Sequence, residues 1–336
     1  MRIKIKKYIL PLKHTFSISR KSHDFQDAIV VALELAGKTG YGEATANPYY
    51  HITFETMQAE IENIRKEIEE FPFKEPEAFH AFLVSKKLGN FSTCALDLAA
   101  NDLYGKLLDK PLYQIWDTDP TRYPITNYTI GLDSIGKMVA KMKETPWPIY
   151  KIKLGTEQDL QIIRELRKHT DAVFRVDANC AWTAGETIKY APYLKELKVE
   201  FIEQPLKADD WEGMKNVRQH CVLPIIADES CIVETDVRKC VDYFNGINIK
   251  LTKCGGLTPA RRMIADAKSL GLKVMVGCMT ESTVGISAIA QLLPQLDYVD
   301  MDGAMLLKED IANGVIIQEG GKVIFPDIGG SGICLH

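Results

Sequence analysis

The sequence predicts an α/β protein whose larger part is a modified TIM barrel of the (β/α)7β kind, covered by an α+β capping segment. Three observations point there. Its 336 residues suffice for one barrel with an appendage. Beyond about residue 122, short apolar runs alternate with amphipathic stretches of ten to fifteen residues, the pattern of repeated βα units around a parallel sheet. Charged residues stand at the carboxyl ends of those runs, where a strand buried on both faces is otherwise apolar.

Taken in chain order, residues 2–10 alternate basic and apolar side chains (Arg2, Ile3, Lys4, Ile5, Lys6), and 28–35 are apolar and β-branched. A turn at Gly37 and a short run up to Glu43 complete a small antiparallel sheet. Apolar residues at three- and four-residue spacing then predict helices over 53–70, 76–87 and 92–108. The polar, proline-containing stretch 117–122 reads as a boundary. After it the strands are 125–130, 149–154, 173–178, 199–203, 224–228, 246–251, 273–278 and 298–302, with helical stretches such as 157–169 and 259–270 between them. Residues 314–318 and 322–325 flank Gly320-Gly321 as a hairpin. The expected organisation is a cap over 1–120, a barrel over 121–305, and a tail over 306–336 that returns to the cap. An open doubly wound sheet is the alternative, but the Gly-x-Gly-x-x-Gly turn that would favour it follows none of the strands.

Composition narrows the partners. Lys and Arg number 41 against 45 Asp and Glu, a net charge of −4, so no basic field exists to hold nucleic acid or an anionic membrane. The apolar run 8–12 is too short for a signal peptide, and no run reaches the ~18 residues of a membrane span. Eight scattered cysteines without a C-x-x-C pair read as reduced, buried thiols of a cytoplasmic protein.

The strand-end charges form a series: Lys151 and Lys153, Asp177, Glu203, Asp228, Lys250, then Asp300 and Asp302. From Lys153 the intervals are 24, 26, 25 and 22 residues, about one βα unit each, so these side chains should surround one mouth. Lys151 and Lys153 are two apart and share a face, while Ile152 and Leu154 take the helix-facing side. Three adjacent carboxylates, Asp177, Glu203 and Asp228, repel one another. A hard divalent cation relieves this, and an all-oxygen donor set suits Mg2+, or Mn2+, better than zinc. Lys153 and Lys250 lie four strands apart in a ring of eight and should face each other across the mouth. A carbon between them could lose a proton to one and regain it from the other, provided the enolate is stabilised and one lysine has a lowered pKa.

The segments Tyr150-Lys-Ile-Lys-Leu-Gly155, Arg175-Val-Asp-Ala-Asn179, Phe201-Ile-Glu-Gln-Pro205, Ala227-Asp-Glu-Ser230 and Asn248-Ile-Lys-Leu-Thr-Lys-Cys-Gly-Gly256 resemble, in order, the strand-end motifs of the enolase superfamily, muconate-lactonizing subgroup. The use of a lysine base with magnesium in that superfamily is a general precedent. The resemblance implies that Asp177, Glu203 and Asp228 hold the metal, that Lys153 and Lys250 are the acid/base pair, and that Lys151 meets the substrate carboxylate. It also implies that a loop near residues 14–25 covers the substrate, and that Thr126 and Cys278 contact it.

Within the subgroup, Asp300-Met-Asp302 resembles the pattern of dipeptide epimerases, whose acidic pair binds the α-ammonium group. The expected activity is a magnesium-dependent epimerase inverting the C-terminal α-carbon of an L-Xaa-L/D-Glu-type dipeptide, with Arg20 as the candidate partner of the Glu side chain. An N-acylamino acid racemase or o-succinylbenzoate synthase is the alternative within the subgroup. A non-catalytic peptide-binding protein and a Schiff-base aldolase barrel fit less of the series. A homo-oligomer is compatible with all of these. Asp97, His51 and Glu281 read as structural, and Lys253 and Glu229 as neighbours that support the site.

Overall fold

Three antiparallel strands open the chain. The computed structural model describes residues 1–18 and 21–336, and in it β1 (Arg2–Ile18) pairs with β2 (Lys21–Leu35), and β2 with β3 (Lys38–Thr45). The alternation read in the sequence sets the faces: Ile3, Ile29, Val31 and Leu33 are buried against helix α4 (Asn90–Leu107). β3 lies directly on that helix. A Cβ at Gly42 would stand 2.1 Å from the Ala95 carbonyl oxygen, and one at Gly40 2.2 Å from that of Ala99, so the strand can approach only because both are glycine.

The first two strands are longer than the apolar pattern predicts. The segment 14–25, expected as a covering loop, is largely a paired β arm, with Phe16 opposite His23 and Ser17 opposite Ser22. Lys13, His14 and Thr15 break the alternation, so the sequence carries no apolar signal there. Pairing instead uses polar cross-strand contacts, Thr15 to Asp24 at 2.6 Å and Ser17 to Ser22 at 2.8 Å. A register shift between Pro11 and Phe16 interrupts the ladder, and the Leu132 N–H ties the arm to the barrel at Ser17 O, 2.9 Å.

The helix expected over 53–70 is two, α1 (Phe54–Asn63) and α2 (Arg65–Glu70), broken at Ile64 with φ −118°. The break lets Arg65 donate to Ile3 O at 2.7 Å and satisfy the edge of β1. After α3 (Pro76–Ser85) and the short α5 (Leu112–Ile115) flanking α4, the barrel begins.

Its strands are β4 (Tyr128–Ile130), β5 (Ile149–Lys153), β6 (Val173–Asp177), β7 (Val199–Glu203), β8 (Ile225–Ala227), β9 (Gly246–Ile249), β10 (Lys273–Gly277) and β11 (Tyr298–Asp300), parallel neighbours in that order. The intervening helices are α6 (Ile135–Glu144), α7 (Asp159–Arg167), α8 (Ala184–Glu196), α9 (Trp211–His220), α10 (Glu234–Lys239), α11 (Leu251–Cys254) with α12 (Leu257–Ser269), and α13 (Thr283–Ala290). The alternating pattern thus yields a nearly closed barrel, and the open doubly wound sheet is not formed.

Closure is unusual. Among the described residues no backbone ladder joins β4 to β11. The Met301 N–H donates to Thr126 Oγ1 at 3.0 Å, Asn127 Nδ2 to Asp300 Oδ1 at 2.7 Å, and the Thr129 N–H to the Asp302 carboxylate. This is why the first strand is shorter than predicted: residues 126 and 127 spend their polar groups on side-chain contacts across the seam.

In the tail, β13 (Ile316–Ile317) and β14 (Val323–Ile324) form the expected hairpin, and β12 (Ala312–Asn313) pairs with β15 (Cys334–Leu335). The tail also meets the first segment: Lys308 N–H donates to Pro11 O at 2.8 Å, and Ser331 N–H to Asp102 Oδ1 at 2.8 Å. All eight cysteines are thiols; Cys334 departs from the expected burial in being exposed, and Cys180 and Cys221 are half-buried. Among the described residues no helix is long and apolar enough to cross a membrane.

Asp97 joins cap to barrel. It is fully buried on α4 and accepts from the Thr258 N–H at the start of α12, 2.9 Å, with the structural role expected of it. Burial pushes its pKa up to about 7. The unfolded chain releases this proton near pH 4, so between about pH 4 and 7 the folded state binds more protons, and stability falls as pH rises through that window. Asp97→Asn should flatten the fall between pH 5 and pH 8 by on the order of 2 kcal/mol in urea denaturation. An unchanged slope would refute the assignment.

Candidate active site

The β5–β6–β7 register places the charged series side by side. Lys153 lies opposite Asp177, and Asp177 opposite Glu203, while Asp228 and Lys250 follow directly on the ends of β8 and β9. Because inward and outward positions alternate, Ile152 and Val176 enter the barrel–helix core while the charges turn inward. Oxygens of Asp177, Glu203 and Asp228 all lie within 4.8 Å of one another. All three side chains are buried, an arrangement that three anions alone could not hold.

Lysines offset them. Lys153 Nζ is 2.6 Å from Asp177 Oδ2, and Lys250 Nζ is 3.0 Å from Asp228 Oδ2. Lys253, from α11, donates to Asp228 Oδ1 at 2.6 Å and to the Asp228 and Cys231 carbonyls, the supporting position expected of it. Lys151 stands among Glu203 (2.8 Å), Asp300 (2.8 Å) and Asp177 (3.3 Å).

The electrostatics follow. Burial, with Asp177 and Asp228 alongside, pushes Glu203 up to about 7 against the pull of Lys151. Burial would raise Asp228 too, but Lys250, Lys253 and Lys151 hold it below the usual carboxylate range. Burial and Lys151 would lower Lys250, yet Asp228 raises it above the ordinary lysine value. That is opposite to the lowering expected for a base, because the ion pair with Asp228 outweighs the neighbouring lysine.

Above these groups lies a cavity of about 450 Å³, lined from the barrel by Lys153, Asp228, Lys250, Cys278, Asp300 and Asp302. Asp177, Glu203 and Lys151 are joined to that lining through ion pairs. Asp300 is paired with Lys151, which holds it below the usual carboxylate range although burial opposes this. Burial and the Asp300 carboxylate push Asp302 up to about 8. Thr126 does not reach the cavity. Its hydroxyl is spent on the seam, and Thr129, three residues nearer the mouth, lines the cavity instead. Arg20 lies outside the described residues.

The segment 14–25, expected to cover the substrate, does reach the cavity, but sequence reasoning named none of the cap side chains that line it. Phe16, His23 and Gln26 from the β arm, and Tyr49 and Tyr50 after β3, line the cavity. No spacing announced them, because the arm carries no apolar pattern. Asn179 was accessible to reasoning: it lies two residues beyond Asp177 on the same turn, and its backbone N–H donates to Asp177 Oδ1 at 2.9 Å. Glu281 is not at the lining but is buried, accepting from the Met279 N–H at 2.8 Å.

The three carboxylates fit a hard divalent cation: oxygen donors only, from adjacent strand ends, converging within one coordination sphere. Comparison with known proteins agrees with the geometry. Residues 135–336 match the Enolase C-terminal domain-like family. A Maribacter protein named L-Ala-D/L-amino acid epimerase is 72% identical over 336 residues, covering all of both chains. A Flavobacterium johnsoniae protein of the same name is 58% identical over 339 residues, again across both whole chains. The dipeptide epimerase from Enterococcus faecalis V583, solved with Mg and L-Leu-L-Tyr, superposes with a TM-score of 0.92 at 29% identity, over 100% of this chain and 99% of that one. This chain belongs to the Enolase C-terminal domain-like family, as an isomerase of its epimerase branch.

Proposed function

We propose that the protein is a magnesium-dependent dipeptide epimerase that inverts the α-carbon of the C-terminal residue by two-base 1,1-proton transfer, with L-Xaa-L/D-Glu-type dipeptides among its substrates. The observation that carries this reading is the cavity itself: two lysines four strands apart, Lys153 and Lys250, each paired to a different member of one acidic trio. In this reading Asp177, Glu203 and Asp228 hold Mg2+, with Mn2+ as a substitute. When bound, the cation supplies positive charge to the substrate carboxylate as the α-carbon loses its proton.

The chain's own groups do the rest. Lys153 and Lys250 remove and return the proton from the two faces of the α-carbon. Lys151 adds positive charge beside the substrate carboxylate, and Asp300 with Asp302 binds the free ammonium, whose charge favours the ionised form of Asp302 that burial and Asp300 otherwise disfavour. Cys278, whose Sγ lies within 4.8 Å of both carboxylates, contacts the same end of the substrate. Burial, with Asp300 and Asp302 alongside, pushes the thiol's pKa well up, so it acts as a neutral wall rather than a nucleophile. The cap residues on the arm and after β3 read the side chains. Two relatives are named for L-Ala-D/L-amino acids at large, which supports a broader second residue than Glu alone.

The test is α-proton exchange in D2O across a dipeptide library, followed by NMR. Exchange and inversion are expected with Mg2+, loss of at least ~100-fold after chelation and gel filtration, and recovery on adding Mg2+ back. Absence of exchange with every dipeptide sinks the reading. Activity that survives chelation removes the metal from it.

A further inference from the structure

The residue after Glu203 has a backbone that side chains rarely adopt. Gln204 has φ +32°, and Asn179 and Cys180, just beyond Asp177, have φ +45° and +66°, so the turns leaving two adjacent strand ends are both in the left-handed region. Strained non-glycine backbone of this sort persists only when its surroundings over-determine it.

Gln204 supplies that determination. It is fully buried, and all its polar groups are used. Its N–H donates to Ile226 O at 2.9 Å, and its carbonyl accepts from the Cys180 N–H at 2.8 Å. Its side-chain oxygen accepts from the N–H groups of Asp228 (2.9 Å) and Ser230 (3.1 Å). Its side-chain nitrogen donates to Leu206 O and Ser230 Oγ, both at 2.9 Å. The residue thereby ties three turns, its backbone carbonyl the one after β6 and its side-chain amide those after β7 and β8, the three that carry Asp177, Glu203 and Asp228. No other side chain of that length satisfies the set: a Glu would turn a lone pair toward Leu206 O, and a Met would leave the Asp228 and Ser230 N–H groups buried without acceptors.

We infer that Gln204 is a positioning residue, setting the spacing of the three carboxylates so that they converge on one cation. This rests on the metal reading above. The Asp228 N–H is held by the Gln204 side chain while its carboxylate pairs with Lys250 and Lys253, and the Gln204 carbonyl holds the turn beyond Asp177 through the Cys180 N–H.

The experiment titrates Mn2+ into the purified protein by calorimetry, with electron paramagnetic resonance reporting free ion and no turnover required. Gln204→Met should bind Mn2+ about 10- to 100-fold more weakly than wild type. Gln291→Met is the control, since Gln291 is also a buried, doubly bonded amide, accepting from the Tyr113 N–H at 3.2 Å and donating to Ser331 O at 3.3 Å, but far from the trio in the fold. It should lose stability while binding Mn2+ within about twofold of wild type. If Gln204→Met does not fold, Ser230→Ala, which removes one anchor of the Gln204 amide, should weaken Mn2+ binding about two- to fivefold. Wild-type affinity in folded Gln204→Met, or in Ser230→Ala when only that variant folds, overturns the inference and leaves the metal reading standing. A weakening in Gln291→Met equal to that in Gln204→Met also overturns it. Failure of wild-type protein to bind Mn2+, with Asp177→Ala indistinguishable from it, refutes the metal reading itself and the inference with it.

Discussion

Lys153→Ala and Lys250→Ala should each lower epimerisation of a dipeptide by about 10³-fold or more, while leaving Mn2+ affinity within an order of magnitude. The two lysines are paired to different carboxylates, so removing one leaves the other's ion pair intact. In D2O each variant should still exchange the α-proton of one enantiomer, because the surviving amine reaches one face of the carbon. That enantiomer should differ between the two variants. Lys→Arg at either position separates charge from proton transfer: it keeps the ion pair with Asp177 or Asp228, but a guanidinium does not titrate, so inversion should stay lost. Proton exchange followed by NMR, started from each diastereomer in turn, reads all of this. Inversion at the wild-type rate in either alanine variant would remove the two-base reading.

Asp300→Asn should have the second largest effect, in two currents that can be measured apart. Asp300 carries both the ion pair to Lys151 at 2.8 Å and the contact from Asn127 at 2.7 Å. Losing its charge should cost about 2 kcal/mol of folding stability, less than for an isolated buried pair because Lys151 keeps Glu203 and Asp177. If the carboxylate also binds the substrate ammonium, kcat/KM for a free dipeptide should fall about 100-fold, the scale of one or two lost charge-assisted hydrogen bonds. An N-acetylated dipeptide offers no ammonium, so its turnover, low in wild type, should change little. Steady-state kinetics on the two substrates and urea denaturation decide the matter. An equal proportional loss on both would show that Asp300 serves the fold and not the ammonium, and would favour the N-acylamino acid reading.

What could be read without coordinates was the part that periodicity fixes. Charges recurring every βα unit name Lys153, Asp177, Glu203, Asp228 and Lys250 because a parallel strand buried on both faces tolerates them only at its mouth. What could not be read lies where pairing is made by polar groups or by backbone. The β arm over 14–25 has no apolar alternation to announce it. The approach of β3 to α4 needed Gly40 and Gly42, whose meaning depends on which helix is opposite. Thr126 was expected at the mouth on the family resemblance alone, and no local pattern told that its hydroxyl accepts from the Met301 N–H, 175 residues away. The partnership of Lys151 with Asp300 joins positions 149 residues apart, and no local spacing connects the second strand of the ring to the eighth.

The joint between β4 and β11 has a consequence for how such a protein can change. The ring is a hoop closed by a clasp, and part of that clasp is the acidic couple proposed to receive the substrate. Any altered taste for one end of the ligand therefore loosens or tightens the hoop, so that selectivity and rigidity drift together across descendants of this scaffold.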